Sequence, residues 1–266
     1  MRKYLYILFA SIVLSSCSEF HKTLKATDIG PKFKLGEELY NEGEYAKANR
    51  LFSQIVPSYR GKPQAEKLMY MYAQSYYGMK DYKISGYQFE RFAESYPKSE
   101  KVEEASFLSA KSYYMESPVF SKDQTDTKTA IEKLQLFINL YPKSEYLTEA
   151  NSYIQELDGK LERKAYEIAK QYNTISDYKA SIKSFDNFLF AFPGSSLRED
   201  AMYYRLDSSY KLAMNSIERK RFERLESTNK YYKDLKIGFS ETQYLDAAEK
   251  MHEEVEEELK KYSTKS

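Results

Sequence analysis

The sequence predicts an all-α fold: an array of about five helix–turn–helix units closed by a C-terminal capping helix. Three observations point there. Glycine (9) and proline (7) are scarce among 266 residues, while Lys, Glu, Leu and Ala are plentiful, which suits long helices joined by short turns. The stretch Ser58–Tyr114 nearly repeats itself. Ser58-Tyr59 returns as Ser95-Tyr96, and Ala73 with Ser75-Tyr76-Tyr77 returns as Ala110 with Ser112-Tyr113-Tyr114, both 37 residues on. Finally, apolar residues inside each copy recur every three or four positions, the stripe of a helix buried on one side. A sustained period of this size means stacked units, each too small to bury its own apolar face.

The units follow in order. The first spans about 33–57: Leu35, Leu39 and Tyr40 share one helical side, Gly43 breaks, and Tyr45, Ala48, Phe52 and Ile55 form the next stripe. The second, about 63–97, opens on Pro63, suited to a first helical position. Ala65, Leu68, Met69, Tyr72, Ala73 and Tyr76 make its first stripe, and Asp81-Tyr82 starts its second helix. That helix stops at Tyr96-Pro97, because proline disfavours helix in the residue before it. Tyr96-Pro97-Lys98-Ser99-Glu100 reappears as Tyr141-Pro142-Lys143-Ser144-Glu145, so the third unit (about 99–142) is stretched, with its extra length in a polar loop around 115–127. The fourth (about 144–193) ends at Phe192-Pro193 after a long first helix, with Tyr178, Ser181, Phe185 and Phe188 in register. A fifth (about 195–235) decays into charged helix. The closing helix, about 241–262, reads as a terminal cap whose acidic run 253–258 faces water.

Ahead of the array stands a leader. Met1-Arg2-Lys3 is basic and Tyr4–Leu14 is apolar. Eleven residues rise about 16 Å as a helix, well short of the ~30 Å hydrocarbon core, so the run reads as a signal peptide (1–16). Residues 17–32 carry few helix signals, with Gly30-Pro31 as a stop, and read as a tether to the folded array.

The parts list excludes much chemistry. Lys and Arg (41) balance Asp and Glu (40), leaving a net charge of +1 and no electrostatic case for nucleic acid. One cysteine, Cys17, forbids an intrachain disulfide, and two histidines far apart, His21 and His252, leave little for a metal or a nucleophile. No Gly-rich phosphate loop, His-Glu-x-x-His or Gly-x-Ser-x-Gly motif is present. Paired carboxylates such as Glu103-Glu104 read as ordinary helix surface. No cofactor, metal or catalytic residue is expected, and the chain reads as a binding protein rather than an enzyme.

Three resemblances sharpen this reading. Leu14-Ser15-Ser16-Cys17 resembles the lipobox of bacterial lipoproteins, which implies cleavage before Cys17 and a lipid anchor on its thiol; Ser18, where the enterobacterial rule places Asp on inner-membrane lipoproteins, favours the outer membrane. Ala73, Tyr76, Ser85, Phe89 and Pro97 resemble a tetratricopeptide repeat, which implies a superhelix whose first helices line a concave groove. Ser117-Pro118, Lys122-Asp123-Gln124, Thr127, Ala130, Phe137, Tyr141-Pro142, Ser144 and Tyr146 resemble the third repeat of the BamD family, the tetratricopeptide lipoproteins of the outer-membrane β-barrel assembly machinery. That resemblance implies a scaffold on the periplasmic face of the outer membrane. It would bind the periplasmic domains of a BamA-type barrel protein through repeats at about 195–262, and receive unfolded barrel precursors. A tetratricopeptide adaptor for cell-wall or envelope assembly is the alternative.

The repeat register also nominates a groove. It sets Phe33, Tyr70 and Phe107 at one groove-facing position and Tyr40, Tyr77 and Tyr114 at a second, with Glu37, Gln74 and Lys111 between them. Two aromatic rows with polar rungs suit an extended peptide with aromatic side chains. Core packing between successive helices is the competing reading of the same rows.

Overall fold

The computed structural model describes residues 19–263, so the leader and Cys17 lie outside the described residues. Every regular element is helical. A short helix α1 covers residues 19–25, followed by α2 (Ile29–Asn41), α3 (Tyr45–Ile55) with a 3-10 turn (Val56–Tyr59), α4 (Ala65–Gly78) and α5 (Tyr82–Ser95). Then come α6 (Val102–Glu116), α7 (Thr125–Leu140), α8 (Leu147–Thr174), α9 (Tyr178–Ala191), α10 (Arg198–Met214), α11 (Glu218–Gly238) and α12 (Leu245–Ser263). The chain forms two compact units, Met1–Leu157 and Asp158–Ser266. The cores are aromatic: Phe52, Phe89, Phe92 and Phe137 are fully buried in the first unit, Phe185 and Phe188 in the second. Each such side chain contributes roughly 1.5–3 kcal/mol of transfer free energy.

The turns follow one recipe. Between first and second helix of a pair the backbone takes a positive φ, at Gly43 (79°), Lys80 (62°) and Ser176 (64°). The Asp carboxylates that follow, Asp81 and Asp177, accept from the backbone N–H of Ile84 and Ala180 and cap α5 and α9. Second helices end on Tyr96, Tyr141, Phe192 and Phe239, all in similar non-helical backbone conformations. Pro97, Pro142 and Pro193 enforce the first three stops; Ser240 follows Phe239, so the fourth ends without a proline.

A hydroxyl three residues after each stop ties the loop down. Ser99, Ser144, Ser195 and Thr242 each accept from the backbone N–H two residues on. Ser99 also donates to Glu66 (2.6 Å), Ser195 to Glu162 (2.6 Å) and Thr242 to Glu199 (2.5 Å), a carboxylate on the preceding first helix each time. Six residues past the hydroxyl, Ala105, Ala150, Ala201 and Ala248 are buried to 0 or 1 % exposure where helices cross. A second polar relay recurs as well: Ser85 donates to the Ala73 carbonyl and Ser181 to that of Ala169, and each bonds the serine 27 residues on, Ser112 or Ser208.

Two sequence expectations need correction. Residues 17–32 are not a tether throughout. From residue 19 the chain is helical, Phe20 is buried, and Leu24 and Ile29 pack on the first core. Gly30-Pro31 stops nothing; it occupies the first turn of α2, where the N–H that proline lacks has no intrahelical acceptor, and Asp28 caps Gly30 N–H at 3.0 Å. The closing helix is also more than a solvated cap. Ala248 and Val255 are buried, and in the acidic run only Glu253 and Glu257 are exposed. Tyr210 donates to Glu254, Asn229 donates to Glu256 at 2.7 Å, and Arg221 pairs with Glu258 at 4.0 Å. Thr242 and Ala248 put α12 in repeat register, as the first helix of a further half-unit.

Candidate peptide-binding face

In the first unit the helices α2, α4, α6 and the start of α8 lie side by side, and each is cross-bonded to the next by polar side chains. Lys67 of α4 pairs with Glu37 of α2. Tyr70 of α4 bonds Glu104 of α6, which also takes Lys101 at 2.7 Å. Lys111 of α6 reaches Glu149 of α8 at 2.8 Å, and the Tyr153 hydroxyl donates to the same carboxylate. Tyr114 donates to Glu156 at 2.6 Å and stacks on Tyr153 with ring centroids 3.9 Å apart.

The electrostatics follow from that wiring. Burial works against the Lys111 charge, but its bonds to Glu149 and Tyr153 outweigh it and hold its pKa above the usual lysine value. The Lys111 ammonium, then Tyr153, hold Glu149 below the usual glutamate value. For Glu104, burial opposes ionisation, yet donation from Lys101 and Tyr70 leaves its pKa lowered. Burial, with Tyr45 and Glu104 adding, pushes Tyr40 up to about 12; burial first and Glu156 second do the same for Tyr114. These groups are ionised carboxylates and neutral phenols at any physiological pH.

The predicted groove residues divide. Tyr40 and Tyr70 line one open cavity of about 520 Å³ with Glu37, Asn41, Lys67 and Lys101. Tyr77 is half-buried, its ring edge-on to Tyr82 at 5.3 Å, and Lys111 and Tyr114 stand on the same face. The Gln74 carboxamide oxygen is buried with no hydrogen-bond partner among the described residues. Phe107 is not a groove residue: it is 2 % exposed, tilted against Phe137 at 5.4 Å and stacked on Tyr146 at 4.4 Å. Phe33 packs against the first core and stacks on Tyr59 at 5.4 Å.

The physical cause lies in the following loop. Its residue two past the hydroxyl folds over the aromatic of the helix before: Lys101 over Tyr70 (5.6 Å), Tyr146 over Phe107, and Tyr244 over Tyr203 in the second unit (3.9 Å). The first row is therefore roofed, and Tyr70 reaches the cavity because its roof is a slender lysine. In the second row Tyr114 is covered by Tyr153 of α8, while Tyr40 and Tyr77 make edge-on ring contacts with Tyr45 and Tyr82. Sequence reading missed Glu104, Tyr146, Glu149 and Tyr153. Glu104 lies three residues before Phe107, on the same helical side, which is the signal that separates it from Glu103.

The residues behind the sequence resemblance in 117–127 turn out to stabilise a loop. Ser117 and Thr127 hydroxyls lie 2.8 Å apart, Thr127 donates to the side-chain Oε1 of Gln124, and the Gln124 amide nitrogen donates to the Val119 and Lys122 backbone carbonyls. Just past the end of α10, Arg221 donates to the Ser216 carbonyl and Arg224 to the Ser216 hydroxyl, while Arg219 and Lys220 are exposed. Among the described residues no three His, Cys, Asp or Glu converge as metal ligands, and no helix is long and apolar enough to cross a membrane.

Residues 28–225 match a protein family described as "YfiO: Outer membrane lipoprotein". The chain belongs to that family. YfiO-family proteins are non-enzymatic scaffolds, and this chain is not an enzyme. No curated protein sequence matches it. Among solved structures, a variant of a Podosopora anserina kinesin light chain with nearly identical TPR-like repeats is 14% identical, covering 79% of this chain and 95% of its own, with a TM-score of 0.33. The architecture rests on the helix order, not on that likeness.

Proposed function

We propose that this YfiO-family chain is a scaffold for assembly and insertion of β-barrel proteins, lipid-anchored through Cys17 on the periplasmic face of the outer membrane. It binds the periplasmic domains of a BamA-type barrel assembly protein and takes unfolded barrel precursors on the face of α2, α4 and α6. The observation that carries this reading is the open cavity of about 520 Å³ lined by Tyr40 and Tyr70, with the partly exposed Tyr77 on the same face. Half-exposed phenols offer apolar area and a hydroxyl together, matching an extended segment with aromatic side chains. Neighbouring helices are already cross-bonded, so little ordering is needed on binding. In the second unit, Ile217 (64 % exposed), Phe222 and Ile237 (85 % exposed) are large apolar residues open to a protein partner, which supports docking of the barrel protein at 195–262.

The test is recovery of partners from detergent-solubilised membranes, with a barrel C-terminal peptide titrated separately. The wild-type chain is expected to bring down a large barrel protein, and Ile237→Lys with Phe222→Lys to lose it. Tyr40→Ala with Tyr77→Ala is expected to weaken peptide binding tenfold or more, about 1.4 kcal/mol, with the helical signal intact. Recovery of cell-wall synthases with no barrel protein would overturn the reading.

A further inference from the structure

The absence of a long tether has a consequence for the end of the molecule nearest the membrane. Helix α1, the first turns of α2, the C-terminal half of α3 and the loop after the 3-10 turn share one core, in which Phe20, Ile55 and Tyr59 are buried. Around that core stand six exposed cations: Lys22, Lys25, Lys34, Arg50, Arg60 and Lys62. Arg50 lies over the Phe20 ring at 5.7 Å and Lys62 over the Tyr59 ring at 5.1 Å, so both are held to this surface. The segments that build it, 19–34 and 50–62, contain only Glu19 and Asp28 as acids, in a chain whose net charge is +1. None of the six cations makes an ion pair among the described residues, whereas Lys67, Lys101, Lys111 and Lys133 elsewhere in the unit all do.

We infer that this basic end is a membrane-apposed surface that binds anionic phospholipid headgroups and fixes the orientation of the array on its bilayer. The inference rests on the reading of Cys17 as the lipidated residue. From Cys17 to helical residue 19 the chain can span at most about 7 Å, so an anchored protein presents this end to the headgroups and no other. A lipid on Cys17 would attach the chain without setting its orientation, and a basic patch supplies a second, orienting contact with anionic headgroups. Among the described residues of this end no large apolar side chain is exposed, so their contact is electrostatic adsorption without insertion. Each cation near an anionic surface adds about fivefold in affinity, and the effect decays within a Debye length of ~10 Å.

The test uses the chain from residue 18 onward, made without lipid, which carries all the described helices. It is sedimented with phosphatidylglycerol-containing vesicles and with pure phosphatidylcholine vesicles. Binding is expected to the first and not the second, and to vanish in concentrated salt. Lys22→Gln, Lys25→Gln, Lys34→Gln and Arg60→Gln together are expected to lower it on the order of several hundredfold. A variant of equal net charge with Lys98, Lys143, Lys179 and Lys183 changed to Gln is expected to bind as wild type. Equal binding to both vesicle types, equal loss in both variants, or capture of acidic peptides without vesicle binding would each overturn the inference. The mass of the mature protein at Cys17 reports the anchor independently, so failure of one reading is distinguishable from failure of the other.

Discussion

Gly36 sits inside α2 with no positive φ, where alanine would ordinarily improve a helix by about 1 kcal/mol. Here the opposite is expected. A Cβ at Gly36 would lie 2.6 Å from Cε1 and 3.0 Å from Cδ1 of Phe52. Carbon pairs rest at about 3.5–4.0 Å, so the ring must retreat by about 1 Å. Phe52 is fully buried against Leu51 and Ile55, also at 0 %, and has nowhere open to go. Overpacking costs about 1–3 kcal/mol, and at so short a contact against a fully buried ring the upper part of that range, about 2–3 kcal/mol, applies and leaves a net loss of ~1–2 kcal/mol. For a chain of this size that is a fall in Tm of about 2–8 °C. The control is Gly159→Ala in the middle of α8, where nothing lies within 4 Å and the propensity gain should appear unopposed as a rise of about 2–4 °C. Thermal unfolding by far-ultraviolet circular dichroism measures both. A rise for Gly36→Ala equal to that for Gly159→Ala would refute the argument, since it would show that Phe52 yields freely. The consequence reaches the site: Tyr40 stands one helical turn beyond Gly36, edge-on to Tyr45 at 5.7 Å, and a shifted α2–α3 crossing displaces that pair.

Two further outcomes are expected. Thr242→Val keeps shape but removes the donor to Glu199 and the acceptor for Tyr244 N–H, so denaturant titration should show a loss of about 1–2 kcal/mol; a loss below ~0.3 would mean that the loop hydroxyl does not hold α12. Alkali should unfold the protein early. With Tyr40, Tyr113, Tyr114 and Tyr210 raised to about 12 from an ordinary 10.0, mainly by burial, the unfolded chain loses phenolic protons first. Stability is therefore unaffected by these groups below pH 10 and drains as pH rises from 10 toward 12. Helix content that persists unchanged well above pH 12 would contradict this.

The fold class was legible because two local signals agreed at each boundary: apolar stripes of helical period, and Tyr-Pro or Phe-Pro where stripes ended. Where the proline is missing, at Phe239-Ser240, the sequence looked like decay, although Thr242 and Ala248 keep the repeat's geometry. The start of the fold was misread for a related reason. Gly30-Pro31 resembles a stop, and only the Asp28 cap and the burial of Phe20 show it to be an entry. Register alone set Phe33, Tyr70 and Phe107 on the groove side; whether such a residue is open depends on what the next loop places above it. That partner lies 31 residues on for Tyr70, 39 for Phe107 and 41 for Tyr203, an offset that a fixed period does not supply.

The roofing residue thus decides which part of the inner face can bind. Tyr146 over Phe107 and Tyr244 over Tyr203 are stacked rings that bury the aromatic beneath them or share its face, worth about 0.5–1.5 kcal/mol per pair beyond burial. Lys101 over Tyr70 is a cation on a flexible stem, paired to Glu104 while its side chain is 57 % exposed, and such a pair contributes only ~0–1 kcal/mol. A ligand can therefore displace Lys101 far more cheaply than it can displace Tyr146. The open 520 Å³ cavity occurs where the roof is weak, and an aromatic side chain of an incoming segment has its least costly entry there, between Tyr40 and Tyr70.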